Sequence, residues 1–253
     1  MLNSPTIIDI IILSYAKNQS LKNLTEQTIR TLISSENPAI IKFNIVVIES
    51  EKSLYPFQFE QTETIYPSTT FSFNKYLNIG IRHTSGKFLC LCNNDLIFKP
   101  NWATQILKAL QQDQAVLSAN PYCTNYHQTK GFEAKGNPIE GYFGVFTGWC
   151  VFIKREIFDI IGPLDENLNF WYCDNDYLQL LLKHKIKNVL VPTSVITHLG
   201  SKSLEESDQK TFNKLTLLPQ IYYNYKWNHH SLFRYKIEKA LLRLKLCITK
   251  PLF

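Results

Sequence analysis

The sequence predicts an α/β domain: a mostly parallel central sheet flanked by helices, followed by a helical tail. Three observations carry that prediction. Two β-branched apolar runs, IIDIIIL at 7–13 and FNIVVI at 43–48, bracket an amphipathic segment. Strand, helix and strand in that order make a right-handed crossover unit. A third run, FLCLC at 88–92, lacks helical spacing and reads as a strand buried on both faces.

Composition bounds the rest. The chain has 253 residues and 45% apolar content, enough for one large domain plus a tail. A formal charge of +6 permits an anionic ligand or an anionic membrane surface and demands neither. No stripe of Arg and Lys interleaved with aromatics runs through the body of the chain, so nucleic acid is not an expected partner. The six cysteines show no CxxC pair and no zinc spacing. With no basic leader and no apolar run long enough to span a bilayer, the expected location is a reducing cytoplasm.

In chain order, strand 7–13 ends at Ser14-Tyr15. Leu21, Leu24, Thr28, Ile29, Leu32 and Ile33 then mark a helix over roughly 20–35. The second strand ends at Glu49-Ser50, and a short strand is expected near 63–66. Residues 73–82 read as a helix stopped by Thr84-Ser85-Gly86. After strand 88–92 and Pro100, Trp102, Ile106, Leu107 and Leu110 mark another helix, and 116–119 a short strand. The stretch 121–142 reads as a long loop, 143–153 as strand material broken at Gly148, and 154–161 as a short helix stopped by Gly162-Pro163. A helix begins near FWYCDNDY, 170–177. Two short strands, 188–191 and 195–197, flank Pro192, and 199–210 reads as a polar connector.

The chemistry concentrates where strand 88–92 stops. Asn93, Asn94 and Asp95 follow it directly, and the carboxyl ends of strands are where open α/β sheets bind ligands. Asp95 can supply an oxygen ligand to Mg²⁺ or Mn²⁺, which needs only one or two carboxylates beside substrate phosphates. A strand-end turn is the bland alternative, since Asn and Asp favour turns. Asp174 and Asp176 admit two readings as well: a general base, or helix caps that complement the dipole.

Four blocks in order carry a family resemblance: IIILSYAKN; NIGIRHTSGKFLCLCNNDL; TGWCVFIKREIFDIIGPLDENL with FWYCDNDYL; and VPTSVITHLGSKS. The chain resembles inverting glycosyltransferases of family 2, with the GT-A fold, over residues 7–203. The bacterial enzymes that build surface polysaccharide, such as rhamnosyltransferase-like proteins, are the nearest in character. The resemblance implies a GT-A domain over 1–206, with a nucleotide-binding half at about 1–100 and an acceptor half at about 101–206. It implies a nucleotide-diphosphate sugar as donor and a glycan or lipid-linked glycan as acceptor. A divalent cation, Mn²⁺ or Mg²⁺, is the implied cofactor, held by Asp95 and His198. Asn93, Asn94 and Asp95 stand where the family has Asp-x-Asp. Cys173, Asp174, Asn175 and Asp176 stand where it has Glu-Asp-x-Asp, which makes Asp174 the base and removes the usual neighbouring Glu. Ser14, Tyr15, Glu49, Lys75, Asn78 and Lys87 fall on the expected nucleotide wall, with Lys202 able to close over the diphosphate. Gly148, Trp149 and Asp176 fall on the acceptor side, Trp149 as a stacking platform.

The tail, 207–253, lies beyond the resemblance. Over 232–248, Phe233, Ile237, Ala240, Leu241, Leu244 and Ile248 share one helical stripe beside Arg234, Lys236, Lys239, Arg243 and Lys245. Such a basic amphipathic helix suits the inner face of an anionic membrane, or it packs back on the domain. Two other functions stay open. The Asn-Asn-Asp triplet and Cys173 leave a degenerate GT-A domain that binds nucleotide or glycan without catalysis. A nucleotidyltransferase would need a Gly- and Lys/Arg-rich loop after the first strand, which SYAKNQS does not supply.

Overall fold

The computed structural model describes residues 4–200 and 209–248. Its elements run β1 (Thr6–Ser14), α1 (Gln19–Ser34), β2 (Ile41–Glu49), β3 (Glu63–Ile65), α2 (Phe73–His83), β4 (Phe88–Cys92), β5 (Leu96–Phe98), α3 (Trp102–Gln112), β6 (Val116–Cys123), β7 (Ile139–Glu140), β8 (Cys150–Lys154), α4 (Ile157–Ile161), α5 (Cys173–Lys183), β9 (Lys187–His198), α6 (Gln209–Trp227) and α7 (Leu232–Ile248). The strands form one sheet in the order β3-β2-β1-β4-β8-β6-β9-β5, with β7 on β9.

The α/β class read from the sequence is borne out. The sheet is mostly parallel, as expected: β1, β2, β3, β4, β6 and β9 run one way, and β5, β7 and β8 run against them. Strands β1 to β4 pair in parallel, as the crossover unit requires. Strand β8 then enters between β4 and β6 running against both. The apolar pattern of 143–153 specifies burial but not direction, because hydrophobic period is the same either way.

Alternation along β1 sets the three layers. Ile8, Ile10 and Ile12 pack toward Ile29 and Leu32 of α1 and Trp102 and Ile106 of α3. Ile11 and Leu13 face Tyr76 and Leu77 of α2 and Tyr177 and Leu181 of α5. A period of two sends neighbours to opposite faces, so a strand covered on both sides must be apolar throughout. Each such isoleucine contributes about 1.5–3 kcal/mol on burial. Gly80 lets α2 lie flat on β1, because a Cβ there would run into the side chain of Ile11.

Three boundaries differ from the sequence reading. The two strands expected around Pro192 are one strand, β9, which bends where its register to β6 slips between Pro121 and Tyr122. Proline cannot donate to the ladder, so the strand continues through a bulge there. The loop expected from 121 begins after Cys123 and contains β7 and a short 3-10 turn at Gln128–Lys130. The tail holds two helices, and the first of them, α6, carries Pro219 internally.

Candidate active site

The bend in β9 builds the site. Past it, β9 pairs antiparallel with β5, opposing His198 to Leu96. Leu199 N–H donates to the Asp95 carbonyl at 2.9 Å. Asp95 and His198, far apart in sequence, thereby meet, with Oδ2 and Nε2 3.1 Å apart. Asp95 is buried, and neither its Oδ1 nor His198 Nε2 has a hydrogen-bond partner among the described residues. Buried polar atoms are normally satisfied, so this pair is short of a ligand. A carboxylate oxygen and an imidazole nitrogen suit Mn²⁺ or Mg²⁺ completed by phosphate oxygens. The residues fit the implied cation.

The strand end is clamped from α1. Thr28 Oγ1 donates to the Asn94 carbonyl at 2.8 Å and accepts from Leu96 N–H at 3.0 Å. Asn94 Nδ2 donates to Thr25 Oγ1 at 2.9 Å, and Thr25 meets Ser14 Oγ at 3.0 Å. Two threonines on the buried face of a helix were the signal for this clamp, and the sequence reading took Thr28 only as part of the apolar stripe.

The second wall comes from α5 and the start of β8. Asp174 opens α5 beside Gly148, where any Cβ would overlap Asp174's side chain. Asn120, buried in β6, donates to the carbonyls of Thr147 and Cys150 at 2.8 and 2.9 Å and fixes that loop. Sequence reading missed Asn120, because a single Asn in a strand carries no spacing signal. Part of Asp174 reaches solvent, yet the protein crowded around its carboxyl withdraws water and pushes the pKa above the ordinary aspartate value. Asn175 N–H donates to its Oδ1 at 2.9 Å.

Between the two walls lies a pocket of about 240 Å³. Asn93, Gly148, Trp149, Asp174 and His198 line it, so the structure brings these five expected residues together. Phe146, Phe170 and Trp171 are among its aromatic lining. Trp149 stacks on His198 with centroids 4.7 Å apart and planes 11° apart, and meets Tyr126 at 5.2 Å. Trp149, expected as an acceptor platform, lines the pocket and also holds the imidazole flat. Glu49, opposite Ser14 in the β1·β2 ladder, accepts from Ala16 and Glu51 N–H through Oε1, leaving buried Oε2 without a partner among the described residues. Burial raises its pKa. Tyr15 is half-buried at the same strand end.

Other expected site residues are placed elsewhere. Lys87 is exposed at the amino end of β4, across the sheet from Asp95, in a separate hollow with Asp9 and Gly86. Asn78 is spent on the 164–166 turn, donating to the Leu164 carbonyl and Glu166 and accepting from Leu164 N–H. Asn94 serves the clamp. Asp176 is buried under α6, bonded to Lys226 and Trp227. Ser14 holds Thr25, and Lys75, half-buried, lies off the pocket. Cys173 is buried with its thiol toward the Leu168 carbonyl at 3.5 Å, and burial pushes its pKa well up, so it is a neutral wall residue. Lys202 lies outside the described residues.

Set beside this geometry, known proteins share part of the sequence pattern and the fold. Residues 52–160 match the family model described as Glycosyl transferase family 2. No curated protein gives a significant sequence match. Among solved structures, the fold matches GalNAc-T7 with UDP, GalNAc and Mn²⁺ at a TM-score of 0.63 and 13% identity, covering 95% of this chain and 55% of that one. It matches a mannosyltransferase from Pyrobaculum calidifontis in complex with GDP-Man and Mn²⁺ at 0.59 and 13%, covering 98% and 71%. It also matches S. aureus TarS residues 1–349 at 0.56 and 10%, covering 85% and 65%. The chain therefore spans about half of the first of these structures and about two thirds of the other two. The match over residues 52–160 and the shared fold bear out the resemblance to GT-A glycosyltransferases of family 2 read from the sequence.

Proposed function

We propose that this GT-A glycosyltransferase moves a sugar, with inversion, from a nucleotide-diphosphate sugar to a hydroxyl of a bacterial cell-surface glycan such as lipopolysaccharide, O-antigen or capsule. The observation that carries the reading is the single pocket onto which both His198 and Asp174 face. The nucleotide lies along the carboxyl ends of β1, β2 and β4, with Glu49 Oε2 free to accept from the ribose or the base. Asn93 offers an amide to the donor. A cation held by Asp95 and His198 would neutralise the charge that grows on the departing diphosphate.

Asp174 acts from the opposite wall. It takes the proton of the acceptor hydroxyl as that oxygen bonds the anomeric carbon and the bond to the diphosphate breaks. Its raised pKa makes it a stronger base than an ordinary aspartate, while it remains ionised above that raised value. Activity should accordingly fall as pH drops through that value. The aromatic lining excludes water and offers apolar faces to sugar rings.

In the test, Asp174→Asn should lower turnover by about 10²–10⁴-fold with donor affinity unchanged. Full activity in that variant would remove Asp174 as the base and with it this mechanism. No turnover in the parent chain with any donor it binds would leave a nucleotide- or glycan-binding domain.

Helix α7 supports a membrane-facing acceptor. Phe233, Leu241 and Leu244 are more than half exposed, beside Arg234, Lys236, Lys239, Arg243 and Lys245. No helix among the described residues is long and apolar enough to cross a membrane. The chain should sediment with vesicles containing anionic lipid and not with neutral ones. Equal sedimentation with both, or with neither, would remove the membrane from the reading.

A further inference from the structure

Helix α5 carries Asp174 in its first turn, yet that turn lacks the usual anchor. Its N-cap is Tyr172, at φ 69°, and makes no side-chain capping bond. A capping Ser, Thr, Asp or Asn would ordinarily tie the first N–H groups down. The anchor comes from a different part of the chain. Asp176, buried one residue beyond Asn175, accepts from Trp227 Nε1 at 2.6 Å. Lys226 Nζ lies 2.7 and 3.0 Å from its two oxygens. The same ammonium reaches Asp165 Oδ2 at 2.8 Å, and Tyr222 O–H donates to that oxygen at 2.9 Å.

Asp165 belongs to the turn that begins with Leu164, a pocket residue, and Asn74 of α2 donates to its carbonyl. Lys226 thus clips together the two chain segments that wall the pocket on the Asp174 side. Further along, Gln179 Nε2 donates to Tyr223 O–H at 3.1 Å, and the rings of Tyr172 and Tyr223 lie 5.1 Å apart. One face of α6 therefore follows α5 from its cap through its second turn.

We propose that Lys226 and Trp227 are positioning residues for the base Asp174, so that α6 completes the active site although it lies beyond the region that resembles the family. The inference rests on the reading of Asp174 as base. Their lever is geometric. Asp174 and Asp176 share one helical turn, and Gly148 already touches Asp174, so a small shift of that turn moves the carboxylate across the pocket. A misplacement of about 1 Å at a reacting group can cost about 10²-fold in rate.

The experiment uses the full chain in four variants: Lys226→Met, Trp227→Phe, Lys226→Arg and Asp174→Asn. Two readings are taken on each. Hydrogen exchange over 172–178, with 102–112 as internal reference, reports the clip itself. Release of nucleoside diphosphate from the sugar nucleotide that most raises the melting temperature reports catalysis. Faster exchange confined to 172–178 is expected in Lys226→Met and Trp227→Phe. Their kcat should fall at least about tenfold at donor KM within about twofold, with most of it restored in Lys226→Arg. Trp227→Phe removes the indole N–H with part of the ring, leaves Lys226 in place, and keeps the proposal testable if Lys226→Met does not fold. Unchanged exchange, or faster exchange at unchanged kcat while Asp174→Asn is inactive, overturns the positioning role and leaves the base standing. Full activity in Asp174→Asn overturns both.

Discussion

The two ends of the parallel strands both bury a carboxylate. Toward the amino end, Asp9 has both oxygens engaged. Asn44 Nδ2 donates to Oδ1 at 2.9 Å, while Gly86 N–H and Arg155 Nη2 donate to Oδ2 at 2.6 and 2.7 Å. Arg155 in turn donates to the carbonyls of Gly86 and Ile81 and to Thr84. At the carboxyl end, Glu49, Asp95 and His198 each keep one buried atom with no hydrogen-bond partner among the described residues, His198 Nε2 facing only the Asp95 carboxylate. The amino-end hollow is the larger, at about 710 Å³ against 240 Å³. Size therefore does not separate the two. A closed polar network holds strands together, whereas an open one waits for a ligand.

The comparison can be broken at either end. Asp9→Ala strips Arg155 of its buried partner and leaves Asn44 and Gly86 without an acceptor. Removing one member of a buried pair costs about 3–5 kcal/mol, and the partial exposure of Arg155 places this pair at or below the low end. Denaturant unfolding should show that loss with nucleotide affinity unchanged. A drop in affinity at full stability would make the amino end a binding site.

The opposite pattern is expected from Glu49→Gln, with a smaller effect on stability. Burial holds Glu49 above its ordinary pKa in the folded chain. The stability linked to this group is fully present below the unfolded value and is lost as pH rises through the raised folded one. The amide does not titrate. The variant should therefore match the parent in acid and melt higher at pH 8, while binding nucleotide more weakly. A parent that melts higher than the variant at pH 8 would show Oε2 to be satisfied within the fold.

Much of this contrast was legible in the sequence at its carboxyl end and little at its amino end. Strand 88–92 falls where the apolar run places it. The abrupt change to Asn93, Asn94 and Asp95 puts polar groups at the carboxyl end of a buried strand, where open α/β sheets bind ligands. A plain turn uses the same residue types, so the family pattern separated the two. His198 could be paired with Asp95 only through the family pattern, since nothing local announces that β9 bends onto β5. Lys87 misled because it stands one residue before β4, and sequence proximity to a site says nothing about which end of a strand it occupies. Asn78 and Asp176 misled for a shared reason. Their residue types suit ligands, but their partners, Leu164 and the pair Lys226 and Trp227, come from distant segments that periodicity cannot bring together. Asp9 was visible only as the one charge in an apolar strand, with its partner Arg155 far along the chain.

The claim that the carboxyl end is the open end turns on Asp95. The decisive measurement is thermal stability against UDP, dTDP, GDP, CMP and their common sugars, each with and without Mn²⁺ or Mg²⁺, in the parent chain and in Asp95→Ala. A ligand at about 100 times its dissociation constant stabilises by about 2.7 kcal/mol, well within reach of a melting curve. The account predicts a shift with one nucleoside diphosphate that requires the cation and disappears in Asp95→Ala. A shift of equal size without the cation, retained in the variant, would contradict it.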